Sequence, residues 1–300
     1  MRKLLLILLV VSLLIGCDKP EVISPPPPKT SRPAEPVAWQ PVEPTTEEVA
    51  AETVEQDRQG LEERIEELLS EYGVEAEAIS FVITDLRTGE SFRRNDQVEF
   101  VGASLYKLPL AMLYYDEISA GRISPQDAIR YDEWMFEEGP LETSVEDGDY
   151  IPIEDLLYYL ITVSDNISGH MLYSHLGGWE PMRQAALKYT DDEAYPNYYS
   201  GDNYLTADYL SDVLGYLYDH PAHYAELFDL MAQAEPTNYL NASQTVATYQ
   251  KIGHYEQMYG AAGLVLDDSP YSIVVMSQAG EIGLTLVGEI NRIAHDFFGE

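Results

Sequence analysis

A serine and a lysine three residues apart, Ser104-Leu105-Tyr106-Lys107, open an apolar run, Leu108-Pro109-Leu110-Ala111-Met112. At a helix start this spacing sets both side chains on one face. A hydroxyl is a poor nucleophile until a base takes its proton. A lysine can be that base only when neutral, which burial or a nearby positive charge enforces. The first amides of a helix have no intrahelical partner, so the Ser104 N–H is free to stabilise an oxyanion. The chemistry suggested is acyl transfer through a serine ester. Such a pair is common by chance, and a surface pair is its ordinary reading. The apolar continuation sends this segment into a core instead.

Lysine usage sharpens the case. The only lysines are Lys3, Lys19, Lys29, Lys107, Lys188 and Lys251. The first three precede the foldable part. Of the other three, Lys107 belongs to the pair above and Lys251 opens Lys251-Ile252-Gly253 on an expected strand. Between them, Ser164-Asp165-Asn166 follows the apolar run 156–163. Alone, such a triplet reads first as a helix N-cap.

The elements that must position these residues follow from periodicity. Leu61, Ile65, Leu68 and Leu69 recur at helical spacing. Residues 79–85 and 90–94 read as two strands joined by the turn Leu86-Arg87-Thr88-Gly89. Residues 104–240 are mostly helical, with loops at 137–148 and 194–203. Strands return at 246–254, 260–267 and 271–278, and 282–298 closes the chain as a helix. Strands at both ends with helices between imply one discontinuous α/β domain over 61–300, with an all-helical insertion and a cleft where it meets the sheet.

In this order and at these separations, the three motifs resemble those of class A β-lactamases and penicillin-binding proteins. The resemblance runs from about Glu62 to the C-terminus. It implies a β-lactamase/transpeptidase-like fold: an antiparallel sheet from both chain ends, flanking helices and an all-helical lobe. It implies acylation of Ser104 with Lys107 as base, and no cofactor or metal. Ser164 would relay a proton to the leaving nitrogen, and Asn166 would bind the substrate amide and Lys107. Asp165 would brace the loop. Lys251 would add positive charge for a substrate carboxylate and help keep Lys107 deprotonated. Gly253 would let the substrate backbone approach, and the His254 N–H would be the second oxyanion donor. Two positions depart from the pattern. Ile252 stands where the family has a Thr or Ser hydroxyl for the carboxylate. The loop 189–206 is short and lacks the family's glutamate for deacylation, Glu193 being the nearest candidate. Three readings stay open: a β-lactamase-type serine hydrolase, a D-alanyl-D-alanine carboxypeptidase-like wall enzyme, and a turnover-deficient binder of penicillins or wall fragments.

The chain carries 52 acidic and 17 basic side chains, a formal net charge of −35. Nucleic acid is excluded as a partner, and anionic lipid head groups are repelled. The plain explanation is solubility at high salt or high external pH; a surface for a cationic ligand is the alternative. Met1-Arg2-Lys3, an apolar run to Ile15 and Leu14-Ile15-Gly16-Cys17 resemble a bacterial lipoprotein signal over 1–16, with Cys17 lipidated. Residues 17–60 are Pro- and Glu-rich and read as a tether reaching roughly 35 Å as a random coil. The expected location is extracytoplasmic, with membrane contact through the lipid anchor only. The expected partner is a β-lactam or a peptidoglycan-peptide-like small substrate, met by a monomer. Six histidines form no metal-ligand pattern.

Overall fold

The computed structural model describes residues 51–243 and 248–299. The signal, Cys17 and most of the tether lie outside them. Helix α1 (Ala51–Tyr72) begins inside the segment assigned to the tether. It buries Leu61, Ile65, Leu68 and Leu69 as one stripe, and Glu62, Glu63, Glu66, Glu67 and Glu71 face outward.

Five strands form one antiparallel sheet: β1 (Ile79–Asp85), β2 (Ser91–Arg94), β7 (Thr248–Tyr255), β8 (Met258–Val265) and β9 (Tyr271–Ser277). Their order is β2-β1-β9-β8-β7, so the last strand of the chain pairs with the first. Phe81 faces Val275 and Val82 faces Val274 in that pairing. Strand β9 is buried at every residue because both of its faces are covered. Ile273 and Val275 pack outward with Leu61, Leu286 and Ile290. Val274 and Met276 pack inward on the helical lobe. The outer layer is α1 and α8 (Glu281–Gly299).

The lobe contains α2 (Lys107–Ser119), α3 (Ile153–Thr162), α4 (Asn166–His175), α5 (Trp179–Ala186), α6 (Ala207–Asp219) and α7 (Ala225–Met231). Helix α2 is its axis: each residue from Lys107 to Tyr115 is buried. An apolar surface all round a helix is what a central position demands. The sheet and lobe are as the sequence implied.

Two small ribbons carry no sequence signal, being too short to show alternation. In one, β3 (Phe100–Val101) pairs with β6 (Tyr204–Leu205); in the other, β4 (Ala128–Arg130) pairs with β5 (Tyr150–Pro152). The first ribbon leads directly into Ser104.

At −35 the chain repels itself. Salt shortens the Debye length from roughly 10 Å at 0.1 M to 3 Å at 1 M. The melting temperature is expected to rise with NaCl up to about 1 M. A flat or falling trend in a thermal scan would show that self-repulsion does not limit stability.

Candidate active site

Ser104 sits in a tight turn, Ala103–Tyr106, that feeds α2. The turn is strained. Ala103 has φ 44°, a left-handed conformation that costs a non-glycine residue energy. Two bonds from one residue hold it there. The Gly102 N–H donates to the Asn203 carbonyl at 2.7 Å, and Asn203 Nδ2 donates to the Ala103 carbonyl. Asn203, at φ 55°, is itself left-handed. Gly102 has no room for more: a Cβ there would lie 2.3 Å from Leu205 Cδ1. Ser104 is half-buried, and its Oγ has no hydrogen-bond partner among the described residues.

One turn on, Lys107 is fully buried. Its Nζ donates to the Ser164 carbonyl and to Asn166 Oδ1, both at 2.7 Å, and lies 3.5 Å from Ser164 Oγ. Burial pulls its pKa down to about 7, against the opposing charges of Asp165 and Glu137. A lysine in this state is neutral for much of the time near neutral pH and can accept a proton.

Ser164 links α3 to α4 at φ 57°. This kink turns its carbonyl towards Lys107, while its Oγ meets Lys251 Nζ at 2.9 Å. Lys251 is also fully buried, and its Nζ makes a second bond to the Ile252 carbonyl at 2.8 Å. Burial, and then the Lys107 charge, hold its pKa well below the usual lysine value. Asp165 caps α4. Its Oδ1 accepts from Ser168 N at 2.6 Å and Ser168 Oγ at 2.8 Å, and its Oδ2 accepts from Leu141 N at 3.0 Å. The cap therefore also pins the 131–148 loop. Asn166 Nδ2 reinforces it, donating to the Glu138 carbonyl at 2.9 Å. Gly139 must be small, since a Cβ there would lie 2.8 Å from Asp165 Oδ2.

Strand β7 is the sheet edge, and its free side faces the Ser104 turn. The Ile252 carbonyl lies on that free side, where Lys251 Nζ reaches it. Backbone direction alternates along a ladder, so the His254 N–H points to the same side. A Cβ at Gly253 would stand 3.0 Å from the Gly102 carbonyl oxygen and 3.3 Å from Ser104 N. The close approach made by Gly253 is thus to the Ser104 turn itself, where the sequence reading gave it to a substrate. The His254 ring is exposed and stacks on Tyr259, with centroids 4.2 Å apart. The Ile252 side chain packs on the outer core, not on the turn.

Ser104, Lys107, Ser164, Asn166, Lys251 and Gly253 therefore converge on one site. Glu193 lies elsewhere: it lines a cavity with Gln97, Thr190, Thr206 and Tyr209 that includes none of them. Sequence reading missed Asn203 and the Glu138–Leu141 segment. Asn203 ends a loop a hundred residues from Ser104, and only the unsignalled β3–β6 ribbon brings them together. Among the described residues no cluster of His, Cys, Asp and Glu could hold a metal.

The sequence profile of the beta-lactamase enzyme family matches residues 59–298. The chain belongs to this family. No curated protein matches the chain. Solved structures of similar fold include a point mutant of PBP-A as an acyl-enzyme complex with penicillin G. It has a TM-score of 0.70 and 19% identity over 80% of this chain and 96% of that one. A β-lactamase from Sphaerobacter thermophilus DSM 20745 gives 0.67 and 19%, over 80% and 97%. An ancestral class A β-lactamase gives 0.68 and 20%, over 79% and 99%. Identities this low show the shared fold alone. Within that β-lactamase fold, Lys251, Ser164 and Lys107 form a continuous polar path beside Ser104.

The neutral amine is the proton-accepting form, so reaction of Ser104 with a covalent probe should rise with pH and level off above about 7. An ordinary lysine would place that rise near 10.5. A pH profile of labelling separates the two.

Asn203→Gly keeps the left-handed backbone and its carbonyl but removes the bond to Ala103. Folding should survive, while labelling of Ser104 slows by about 10–100-fold, the effect of misplacing a reacting atom by an ångström or less. Unchanged labelling would mean that the backbone bond alone sets the turn.

Proposed function

We propose that this protein is a serine hydrolase of the β-lactamase type, acylated on Ser104 by a β-lactam or a D-Ala-D-Ala-like amide. The observation that carries the reading is the hydrogen-bonded path Lys251–Ser164–Lys107–Asn166 next to a half-buried serine. Neutral Lys107 takes the Ser104 proton as Oγ bonds to the amide carbon. The oxyanion is received by the Ser104 and His254 N–H groups. Ser164, held by Lys251, passes a proton to the leaving nitrogen as the C–N bond breaks. Asn166 keeps Lys107 aimed. The penicillin acyl-enzyme of the structural neighbour supports the choice of a β-lactam as acyl donor. We further propose that Cys17 anchors the domain outside the cytoplasm through lipid.

Release of the acyl group needs a second base that aims water at the ester. Glu193, the candidate on the loop, is placed elsewhere and does not supply it. This favours a long-lived acyl-enzyme, closer to a penicillin-binding protein than to a fast β-lactamase. A missing general base typically costs a factor of about 10²–10⁴.

Intact mass spectrometry with penicillin G tests both statements. The wild type should gain one adduct that survives minutes or longer, and Ser104→Ala none. Glu193→Gln should leave the release rate unchanged. No adduct across a broad β-lactam panel, or equal labelling of Ser104→Ala, would sink the acylation reading. Rapid multiple turnover abolished by Glu193→Gln would sink the slow-release reading.

A further inference from the structure

One arginine in this acidic chain has been placed away from the acids. The other described arginines, from Arg64 to Arg292, each face a carboxylate. Arg183, on α5, is fully buried, and its partners are neutral. A guanidinium without a counter-ion is costly to bury, and only hydrogen bonds that replace its water reduce the cost. Backbone carbonyls supply them here. Nε donates to the Tyr198 carbonyl and Nη2 to the Tyr204 carbonyl, both at 2.9 Å. Nη2 also lies 3.4 Å from the Tyr195 hydroxyl, and Nη1 has no hydrogen-bond partner among the described residues. The Tyr198 ring covers the group, with its centroid 3.9 Å from Cζ, and its hydroxyl donates back to the Arg183 carbonyl at 2.9 Å. Tyr195 is a second donor to the Tyr204 carbonyl, at 3.0 Å.

A carboxylate partner would have fixed one side chain. The Tyr198 and Tyr204 carbonyls fix the backbone between them. Residues 191–203 contain only turns and bends, so no helix or strand of their own holds their shape. Trp179, on the same helix, donates from Nε1 to the Ser200 carbonyl at 3.0 Å, midway along this stretch. The stretch ends in the latch on the Ser104 turn. Tyr204, gripped by Arg183, pairs with Val101 in the β3–β6 ribbon. Asn203 beside it holds the Gly102 N–H and the Ala103 carbonyl. Asn203 is left-handed, and a non-glycine residue stays so only where its surroundings over-determine it. Trp179 also meets the turn directly, edge-on to Tyr106 with ring centroids 5.0 Å apart.

We propose that Arg183 is a positioning residue for acylation: its guanidinium locks residues 198–204 and, through Asn203, sets the turn that carries Ser104. The consequence for chemistry rests on the reading of Ser104 as the nucleophile; the consequence for the turn does not. The role needs an arginine. A lysine carries the same charge but has neither the planar fork that serves two carbonyls at once nor a face to stack on Tyr198. The buried charge makes the lock stringent, because any shift of the loop that withdraws a carbonyl leaves the guanidinium without an acceptor.

The test is a double-mutant cycle between Arg183→Lys and Asn203→Gly with two readouts. The first is hydrogen exchange of the Gly102 amide, which donates to Asn203. Arg183→Lys should speed it at least ~10-fold while the amides of β9 keep their protection. The second is the rate of labelling by penicillin G against pH. Its plateau should fall by about 10–100-fold in Arg183→Lys, the cost of a misplaced reacting atom. Its midpoint should stay at about 7, since the surroundings of Lys107 are untouched. The double variant should lose less than the product of the two single losses, because both changes loosen one latch. A role in stability alone would lower the melting temperature and leave Gly102 exchange and the plateau as in the wild type, and that result overturns the proposal. Losses that multiply in the double variant overturn it too. Should Arg183→Lys fail to fold, Tyr195→Phe removes only one donor from the Tyr204 carbonyl and should speed Gly102 exchange to a smaller degree; unchanged exchange there overturns the proposal. Labelling retained in Ser104→Ala, or absent from the wild type, overturns the reading of Ser104 as nucleophile, and Gly102 exchange then decides the role of Arg183 by itself.

Discussion

One hydroxyl, Ser164 Oγ, lies 2.9 Å from Lys251 Nζ and 3.5 Å from Lys107 Nζ, and both amines are fully buried. Two ammonium ions cannot share so small an enclosed volume without large cost, since each loses its hydration and repels the other. The site resolves this by depressing both pKa values, with burial as the leading cause. That single constraint explains why the lobe is arranged as it is. Lys107 must enter from a helix buried all round at that end, which α2 provides from Lys107 to Tyr115. Lys251 must enter from the sheet, with its neighbour's carbonyl on a free edge, which only an outer strand offers. Ser164 must present its carbonyl to one lysine and its hydroxyl to the other, and a left-handed residue between two helices does so.

The acidic composition works against this arrangement, and geometry limits the conflict. Asp165 and Glu137 both favour a charged Lys107, yet burial outweighs them. Asp165 is kept from acting as a full counter-ion because its oxygens are taken by Ser168 and Leu141. The carboxylate is thus used as a helix cap and loop clasp. Most remaining acids are exposed or matched to arginines, where water and salt screen them. A surface of extreme charge and a pair of amines with depressed pKa values coexist because they lie in different dielectric environments.

Much of this was legible in the sequence, for identifiable reasons. The strands 79–85 and 271–277 read clearly because each is a continuous β-branched and aromatic run ended by turn residues. The closing helix and the axis helix read from their apolar patterning. The motif residues read from their types and order. What could not be read was contact between distant short segments. The two-residue strands β3 and β6 have no period to detect, so the latch from Asn203 to Ala103 was invisible. Glu138 acts through its backbone carbonyl and Leu141 through its N–H, groups that every residue carries. The start of α1 at Ala51 was misplaced because Glu-rich helix and Glu-rich tether share a composition until an apolar stripe begins at Leu61.

The three glycines about the site show how the strained turn before Ser104 is made compatible with its neighbours. Gly102 admits Leu205, Gly253 admits the Gly102 carbonyl and the Ser104 amide, and Gly139 admits the Asp165 carboxylate. None of the three has a left-handed φ, so what each supplies is the missing side chain rather than conformational freedom. Gly102 and Gly253 let the β3–β6 ribbon and the sheet edge close on the Ser104 turn, and Gly139 lets the 131–148 loop close on the start of α4. A turn held this tightly keeps Ala103 at φ 44°, and with it the direction in which Ser104 Oγ points. In the proposed acylation the lysines set the charge state. The glycines set the distance at which it happens, because side chains at those positions would push the three walls apart.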